Sequence, residues 1–201
     1  MIEAGVDEAG RGPLAGPVFA AAVILDKEIQ IKGLNDSKKI SEKKRESIAQ
    51  EIKEKAIAWS IGISSSEEID EVNILKATLI AMKRAIEGLK IFPDIALIDG
   101  QHAPQTECKV RTIVKGDQSK KNIMAASILA KVSRDNYMKE IDDKYPEYGF
   151  KQHKGYPTKM HLEALKLYGV TSEHRLSFKP CLLYTSPSPR DATLSRMPSS
   201  A

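Results

Sequence analysis

Cysteine is scarce in this chain of 201 residues, which holds only Cys108 and Cys181. That rules out a disulfide framework or a cysteine-built zinc cluster and leaves two ordinary reduced thiols as the expectation. Long apolar runs are missing too, so no segment reaches the length of a membrane span. The N-terminus does not join a basic region to an apolar stretch and a small-residue cleavage site, so no secretory signal is expected and a cytoplasmic location is. Histidine is limited to His102, His153, His161 and His174. No Ser-His or Cys-His arrangement stands out, and the four read as surface or packing residues rather than members of a triad.

Charge of either sign is not in large excess, since the formal net charge is +4. The distribution says more than the sum. Lys38, Lys39, Lys43, Lys44 and Arg45 cluster early, Lys115, Lys120 and Lys121 flank an aspartate, and Lys151, His153, Lys154, Lys159 and His161 cluster late. Each cluster alone fits a solvated face; a polyanion site requires them to converge in space. A hydrophobic content of 41% and a charged content of 29% describe one soluble globular domain.

What is present is concentrated at the start. Asp7 and Glu8 run into a glycine-rich turn, Gly10-Arg11-Gly12-Pro13, that continues to Gly16-Pro17. Adjacent carboxylates collect divalent cations, and a glycine turn lets backbone N–H groups approach a phosphate or sugar. Segments 2–7 and 18–25 read as strands joined by this turn. Ser41 is positioned to cap a helix to about Ala56 with Ile48 and Ile52 on one face, and Trp59, Ile61 and Ile63 alternate as in a third strand. An acidic helix start from Ser66 leads into a stripe of Leu75, Leu79, Met82, Ile86 and Leu89, read as core packing. Segments 95–99 and 110–114 read as strands whose exits present Asp99 and Asp117. Ser119 is the expected cap of the helix that carries Ser127 and Lys131, and a further helix is expected near 158–168.

Strands alternating with helices, with acids at several strand ends, predict an α/β sheet with a cleft at one edge. Asp7, Asp99 and Asp117 occupy such exits, while Glu8 joins Asp7 on one face only if the strand loses its pleat there. Carboxylates without histidine or cysteine partners suit hard ions such as Mg²⁺ or Mn²⁺ better than zinc. Singly, an Asp followed by Gly reads as a turn residue; the force lies in the combination.

Six segments in order, 5–17 with its Asp7-Glu8-Ala-Gly10-Arg11-Gly12, 34–38 with Ser37 and Lys38, Asp99-Gly100, Lys115-Gly116-Asp117, 126–131 with Ser127 and Lys131, and 153–158 with Tyr156, resemble bacterial ribonuclease HII over roughly residues 2–180. The resemblance implies a ribonuclease H-like fold: a central mixed sheet flanked by helices, with a C-terminal helical portion. It implies an endonuclease that cleaves the RNA strand of RNA–DNA hybrids and incises 5′ to single ribonucleotides in duplex DNA, starting their removal.

Asp7, Glu8, Asp99 and Asp117 would be the catalytic and metal-binding acids, with Asp135 a competitor for the fourth place. Two Mn²⁺ or Mg²⁺ ions, held with substrate bound, would activate the attacking water and stabilise the departing 3′-oxygen, leaving 3′-hydroxyl and 5′-phosphate ends. The substrate contacts implied are Gly10, Arg11 and Gly12 at the 2′-hydroxyl, Tyr156 on the neighbouring deoxyribose, and Ser37, Lys38, Ser127 and Lys131 on phosphates. A monomer is expected, with no membrane partner. The rivals are a structure-selective DNA nuclease on the same fold, which would cut all-DNA substrates, and a non-catalytic binding module, which EDTA would leave active.

After Pro180 the composition changes to an aperiodic stretch rich in proline and serine. Residues 181–201 read as a disordered tail foreign to the domain of residues 1–180, with the resemblance ending at the same place.

Overall fold

The structure, a computed structural model, describes residues 1–34 and 40–185. Five strands form one mixed sheet: β1 (Glu3–Ala9), β2 (Val18–Ile24), β3 (Ala58–Ser64), β4 (Ile95–Asp99) and β5 (Lys109–Ile113), in spatial order β3-β2-β1-β4-β5. The first three pair antiparallel, while β4 runs parallel to both β1 and β5. β1 and β2 are buried for most of their length, as strands covered on both faces must be.

Alternation along β1 sorts its residues between two cores. Ala4 and Val6 face one side with Ala20 and Ala22 of β2, packed on Ala81, Met82 and Ala85 of α3 (Ile74–Glu87). Ala21 and Val23 face the other side, against Ile48 and Ile52 of α1 (Glu42–Lys55) and Ala125, Ile128 and Leu129 of α4 (Lys121–Lys144). A third core, around Leu14, Met138, Tyr148, Phe150 and Leu165, joins α4 to the C-terminal helices α5 (Phe150–His153), α6 (Lys159–Tyr168) and α7 (Lys179–Thr185). The mixed sheet, flanking helices and C-terminal helical portion are those expected. Among the described residues no helix is long and apolar enough to cross a membrane.

Four local expectations are corrected. The acidic helix start and the apolar stripe are separate helices, α2 (Ser66–Val72) and α3, divided at Asn73, whose φ of 75° breaks the run and whose side chain accepts from the N–H groups of Leu75 and Lys76. The buried face of α3 carries Ala77, Ala81 and Ala85 beside Met82 and Ile86 of the expected stripe, with Leu75 and Leu79 only half-buried. Ser119 caps nothing: it closes a 3-10 turn, Gly116–Gln118, and α4 begins after Lys120. Ser41 stands at the start of α1 without a side-chain capping bond. The break expected after Pro180 falls inside α7, where Cys181 is buried in the third core while Leu182 and Leu183 point outward. Both cysteines are free and buried.

Candidate active site

The strand register assembles the acids. In the parallel β1/β4 pair Gly5 lies beside Leu97 and Val6 beside Ile98, so Asp7 and Asp99 are the next neighbours in line. By parity both lie on the α4 face, opposite the face that holds Val6 and Ile98. Asp117 arrives from the turn after β5. The left-handed Lys115 (φ 57°) bends the chain back, and the Asp99 carboxylate accepts from the Gly116 N–H at 2.6 Å, tying that turn to the end of β4. A Cβ at Gly116 would lie 2.5 Å from the end of the Ile123 side chain, so a larger residue there requires Ile123 to shift.

Asp7, Asp99 and Asp117 each bring a carboxylate oxygen within 4.8 Å of the others, and Asp7 and Asp117 are buried. Burial pushes the Asp7 carboxyl well above the usual range, and Glu8 and Asp99 add like-charge repulsion. A hydrogen bond from the Ser127 side chain and the Glu8 N–H at 2.7 Å oppose that shift. Acidic oxygens crowded in this way, without nitrogen or sulfur donors among them, are the donor set a hard divalent cation requires. The residues present fit such an ion.

Glu8 does not join this group of three. The antiparallel ladder stays regular to the Ala9–Phe19 pair, so the Glu8 side chain leaves the strand on the opposite face from Asp7, yet its carboxylate still reaches a hydrogen bond with Asp7 and feels the charge of Asp99. Its carboxylate nonetheless lines the same cavity of about 290 Å³ and lies 3.4 Å from the Arg11 guanidinium. Burial raises the Glu8 carboxyl, and Arg11 pulls in the opposite direction. Asp135 lies outside the acid group. It is buried on α4 and ion-paired with Lys131 one turn away and with Arg45 at 3.5 Å.

The remaining wall of the cavity is basic and glycine-rich. Gly10, Arg11, Gly12, Lys131 and Tyr156 line it, together with Ser127. Ser127 is buried and turned to Asp7, so it meets the acids first. Tyr156 is 45% exposed, and its ring passes so close to Gly12 that a Cβ there would lie 3.4 Å from it. Ser37 and Lys38 lie outside the described residues. A larger groove of about 670 Å³, lined by Ile2, Ile24, Ile57 and Lys121, sits by the start of β1 and away from the acids.

Three arginines stand at the site, and two of them, Arg134 and Arg175, were not singled out from the sequence. Arg45 lines the cavity from α1. Arg134 donates to the carbonyls of Ala15, Pro17 and Lys154, and the fully buried Arg175 to those of Gly10, Arg11, Pro13 and Gly16. Burial lowers the two guanidiniums to about 10 and about 9, against the pull of Asp135 on Arg134 and of Asp70 on Arg175, so both remain charged at neutral pH. No local signal separates a buried arginine from a surface one. His102 is exposed, and His153, His161 and His174 form a buried cluster.

Comparison with known proteins identifies one family and one fold. The family model described as Ribonuclease HII matches residues 4–181. A ribonuclease HII of Vibrio campbellii is 61% identical over 180 residues, covering 90% of this chain and 85% of that one. Among solved structures, the ribonuclease H2 of Pyrococcus horikoshii OT3 superposes with a TM-score of 0.77 at 25% identity, covering 98% of this chain and 100% of that one. The ribonuclease HII of Archaeoglobus fulgidus, solved in complex with PCNA, gives 0.72 at 28% identity, over 89% and 96%.

Proposed function

The chain belongs to the ribonuclease HII family, metal-dependent endonucleases that hydrolyse the RNA strand of RNA–DNA hybrids, and from that premise we propose that it also incises 5′ to single ribonucleotides embedded in duplex DNA. The observation that carries this reading is the junction of two features in one cavity: the acid group of Asp7, Asp99 and Asp117, and beside it a glycine turn with exposed backbone next to the Tyr156 ring. An RNA and a DNA sugar differ by one hydroxyl, so only a group that hydrogen-bonds it, or a surface shaped to its absence, separates them. The turn at Gly10, Arg11 and Gly12 supplies the first, from its backbone. Tyr156 supplies the second by packing on the neighbouring deoxyribose.

Asp7, Asp99 and Asp117 hold Mg²⁺ or Mn²⁺, two ions when substrate is present, with Glu8 contributing from the rim. Ions held there would supply positive charge to activate a water and to stabilise the departing 3′-oxygen, a chemistry that would leave 3′-hydroxyl and 5′-phosphate ends. Ser127 and the Glu8 N–H orient Asp7 and oppose the upward shift that burial imposes on its carboxyl. Lys131, held in place by Asp135, and Lys38 grip phosphates with Ser37 and Ser127. No side chain of the cavity is needed as a covalent nucleophile. We assign this activity to residues 1–180, acting as a cytoplasmic monomer that starts removal of misincorporated ribonucleotides.

The test is a DNA duplex with one ribonucleotide, incubated with Mg²⁺ or Mn²⁺ and mapped for the cut. A single incision on the 5′ side is expected, abolished by EDTA, with an all-DNA duplex left intact. Equal cutting of both duplexes would overturn the sugar discrimination and favour a DNA nuclease on the same fold.

A further inference from the structure

Behind the proposed sugar-reading wall lies a short stretch of chain that touches both of its halves. Residue 174 forms a β-bridge with Ala15, the Glu173 carbonyl accepts from the Gly16 N–H at 2.8 Å, and the Arg175 N–H donates to the Leu14 carbonyl at 2.8 Å. The Gly10–Gly16 loop is thus paired, backbone to backbone, with a segment about 160 residues away.

Arg175 then fills the inside of that loop. Its Nη2 donates to the Gly10 carbonyl at 2.6 Å and the Gly16 carbonyl at 2.7 Å, its Nη1 to Arg11 at 3.0 Å and Pro13 at 2.7 Å, and its Nε to Gly16 at 3.0 Å. A planar fork of five donors is the one side chain able to gather so many carbonyls at fixed angles; a lysine has three donors on a single point. With the carbonyls of Gly10 and Arg11 drawn inward, the orientation of their peptide units at the cavity is set from behind. Gly10 itself, at φ 98°, adopts a backbone conformation that side chains resist.

His174 reaches the other half. Thr171 donates its N–H to His174 Nδ1 at 2.9 Å, which places the His174 proton on Nε2. That proton points at His161 Nε2, 3.0 Å away, which leaves the His161 proton on Nδ1, 3.0 Å from the Tyr156 carbonyl. Along the chain the Thr171 N–H donates, His174 and His161 each accept once and donate once, and the last acceptor, the Tyr156 carbonyl, belongs to the residue whose ring lies against Gly12.

We propose that His174 and Arg175 are positioning residues for sugar discrimination, Arg175 aligning the Gly10-Arg11-Gly12 backbone and His174, through His161, aligning Tyr156. The inference deepens the proposed function and rests on it. Neither residue touches the three clustered acids, so both act on substrate reading rather than on metal binding.

The test compares wild type, Arg175→Lys, His174→Gln and His174→Phe on the duplex with a single ribonucleotide, with kcat and KM measured separately and Mn²⁺ binding followed by calorimetry. Arg175→Lys keeps the charge and loses the fork: kcat/KM is expected to fall 10- to 100-fold while Mn²⁺ affinity stays within twofold of wild type. His174→Gln keeps an N–H donor for His161, whereas His174→Phe keeps the aromatic packing against Tyr148 and Phe150 and loses the donor. Positioning predicts that Gln exceeds Phe by about tenfold in kcat/KM; a packing role alone predicts the reverse order. An Arg175→Lys protein with wild-type kcat/KM, a parallel loss of Mn²⁺ binding, or Phe equal to or better than Gln would overturn the inference. Should Arg175→Lys fail to fold, the His174 pair decides. If wild type itself leaves the ribonucleotide duplex uncut, the proposed function fails; if wild type cuts and the variants cut as well, only the positioning role fails.

Discussion

Gly5 of β1 and Asn122 of α4 are in backbone contact: a Cβ on Gly5 would lie 2.2 Å from the Asn122 carbonyl carbon. Asn122 secures the same junction with its side chain, whose Nδ2 donates to the Glu3 carbonyl at 2.8 Å. The approach matters because Asp7 lies two residues along the same face of β1, and Ser127 on α4 reaches that Asp7 only while helix and strand stay this close.

Gly5→Ala should therefore force α4 away from the sheet. Inserting a methyl into a packed backbone contact costs about 3 kcal/mol, to be read as a lower urea midpoint with unchanged slope. Mn²⁺ affinity should fall as well, because the displaced helix releases Asp7 from Ser127. A variant as stable as wild type would show that the approach has slack.

The sequence shows how far such a site can be read before its geometry is known. Asp7, Asp99 and Asp117 were legible because each ends a strand or opens a turn, and the strand pattern brings such ends to one edge. How Glu8 meets them was not, since the pleat continues to Ala9 and its carboxylate reaches Asp7 by the length of its side chain rather than by a break in the strand. Arg134 and Arg175 were invisible for a different reason. Their partners are backbone carbonyls distant in the chain, and no local pattern marks a guanidinium whose charge is dispersed over carbonyl oxygens. The division at Asn73 likewise came from a side chain bonding to its own backbone, which outweighed the periodicity on either side.

Asp7→Asn should trade activity for stability. Asp7 is buried beside Glu8 and Asp99, so without metal the ionised carboxylates repel one another and the folded protein bears that strain. Replacing one charge by an amide should stabilise the metal-free protein by about 1 kcal/mol in urea titrations with EDTA, while cleavage falls by about three orders of magnitude or more. Duplex binding should persist. Loss of stability in EDTA would contradict the crowding of charge.

Asp117→Asn and Asp135→Asn distinguish the two candidates for the fourth acid. Asp117 brings a carboxylate oxygen within 4.8 Å of those of Asp7 and Asp99, whereas Asp135 is engaged with Lys131 and Arg45. Asp117→Asn should lower Mn²⁺ affinity and cleavage by about 100-fold or more. Asp135→Asn should leave Mn²⁺ affinity unchanged and raise KM for the hybrid by about tenfold, since it frees two cations from the geometry in which they meet phosphate. Equal losses of metal affinity in the two proteins would place Asp135 among the ligands.

The buried histidines set an acid limit on stability. Desolvation lowers His161 and His174 to about 4, with His153 adding to the shift of both and His161 to that of His174. Unfolded, a histidine titrates near 6.5. Between those values the unfolded chain binds protons that the folded chain refuses, so stability rises with pH across the window: it is full above about 6.5 and lost progressively toward 4. Protonation also destroys the network directly, because an imidazolium at His161 has no lone pair left to accept from His174. Each histidine contributes on the order of 2 kcal/mol to this loss. Urea midpoints for wild type and His174→Gln, measured in EDTA at pH 7 and at pH 5, check the sign, since the carboxylates titrate alike in both proteins. Wild type should lose more stability over that interval, and the variant should lose roughly half as much. A wild-type protein as stable at pH 5 as at pH 7, or a variant with an equal or steeper loss, would mean that the pair is already protonated or solvated in the fold. It would also remove the directional hydrogen bonds on which the alignment of Tyr156 depends.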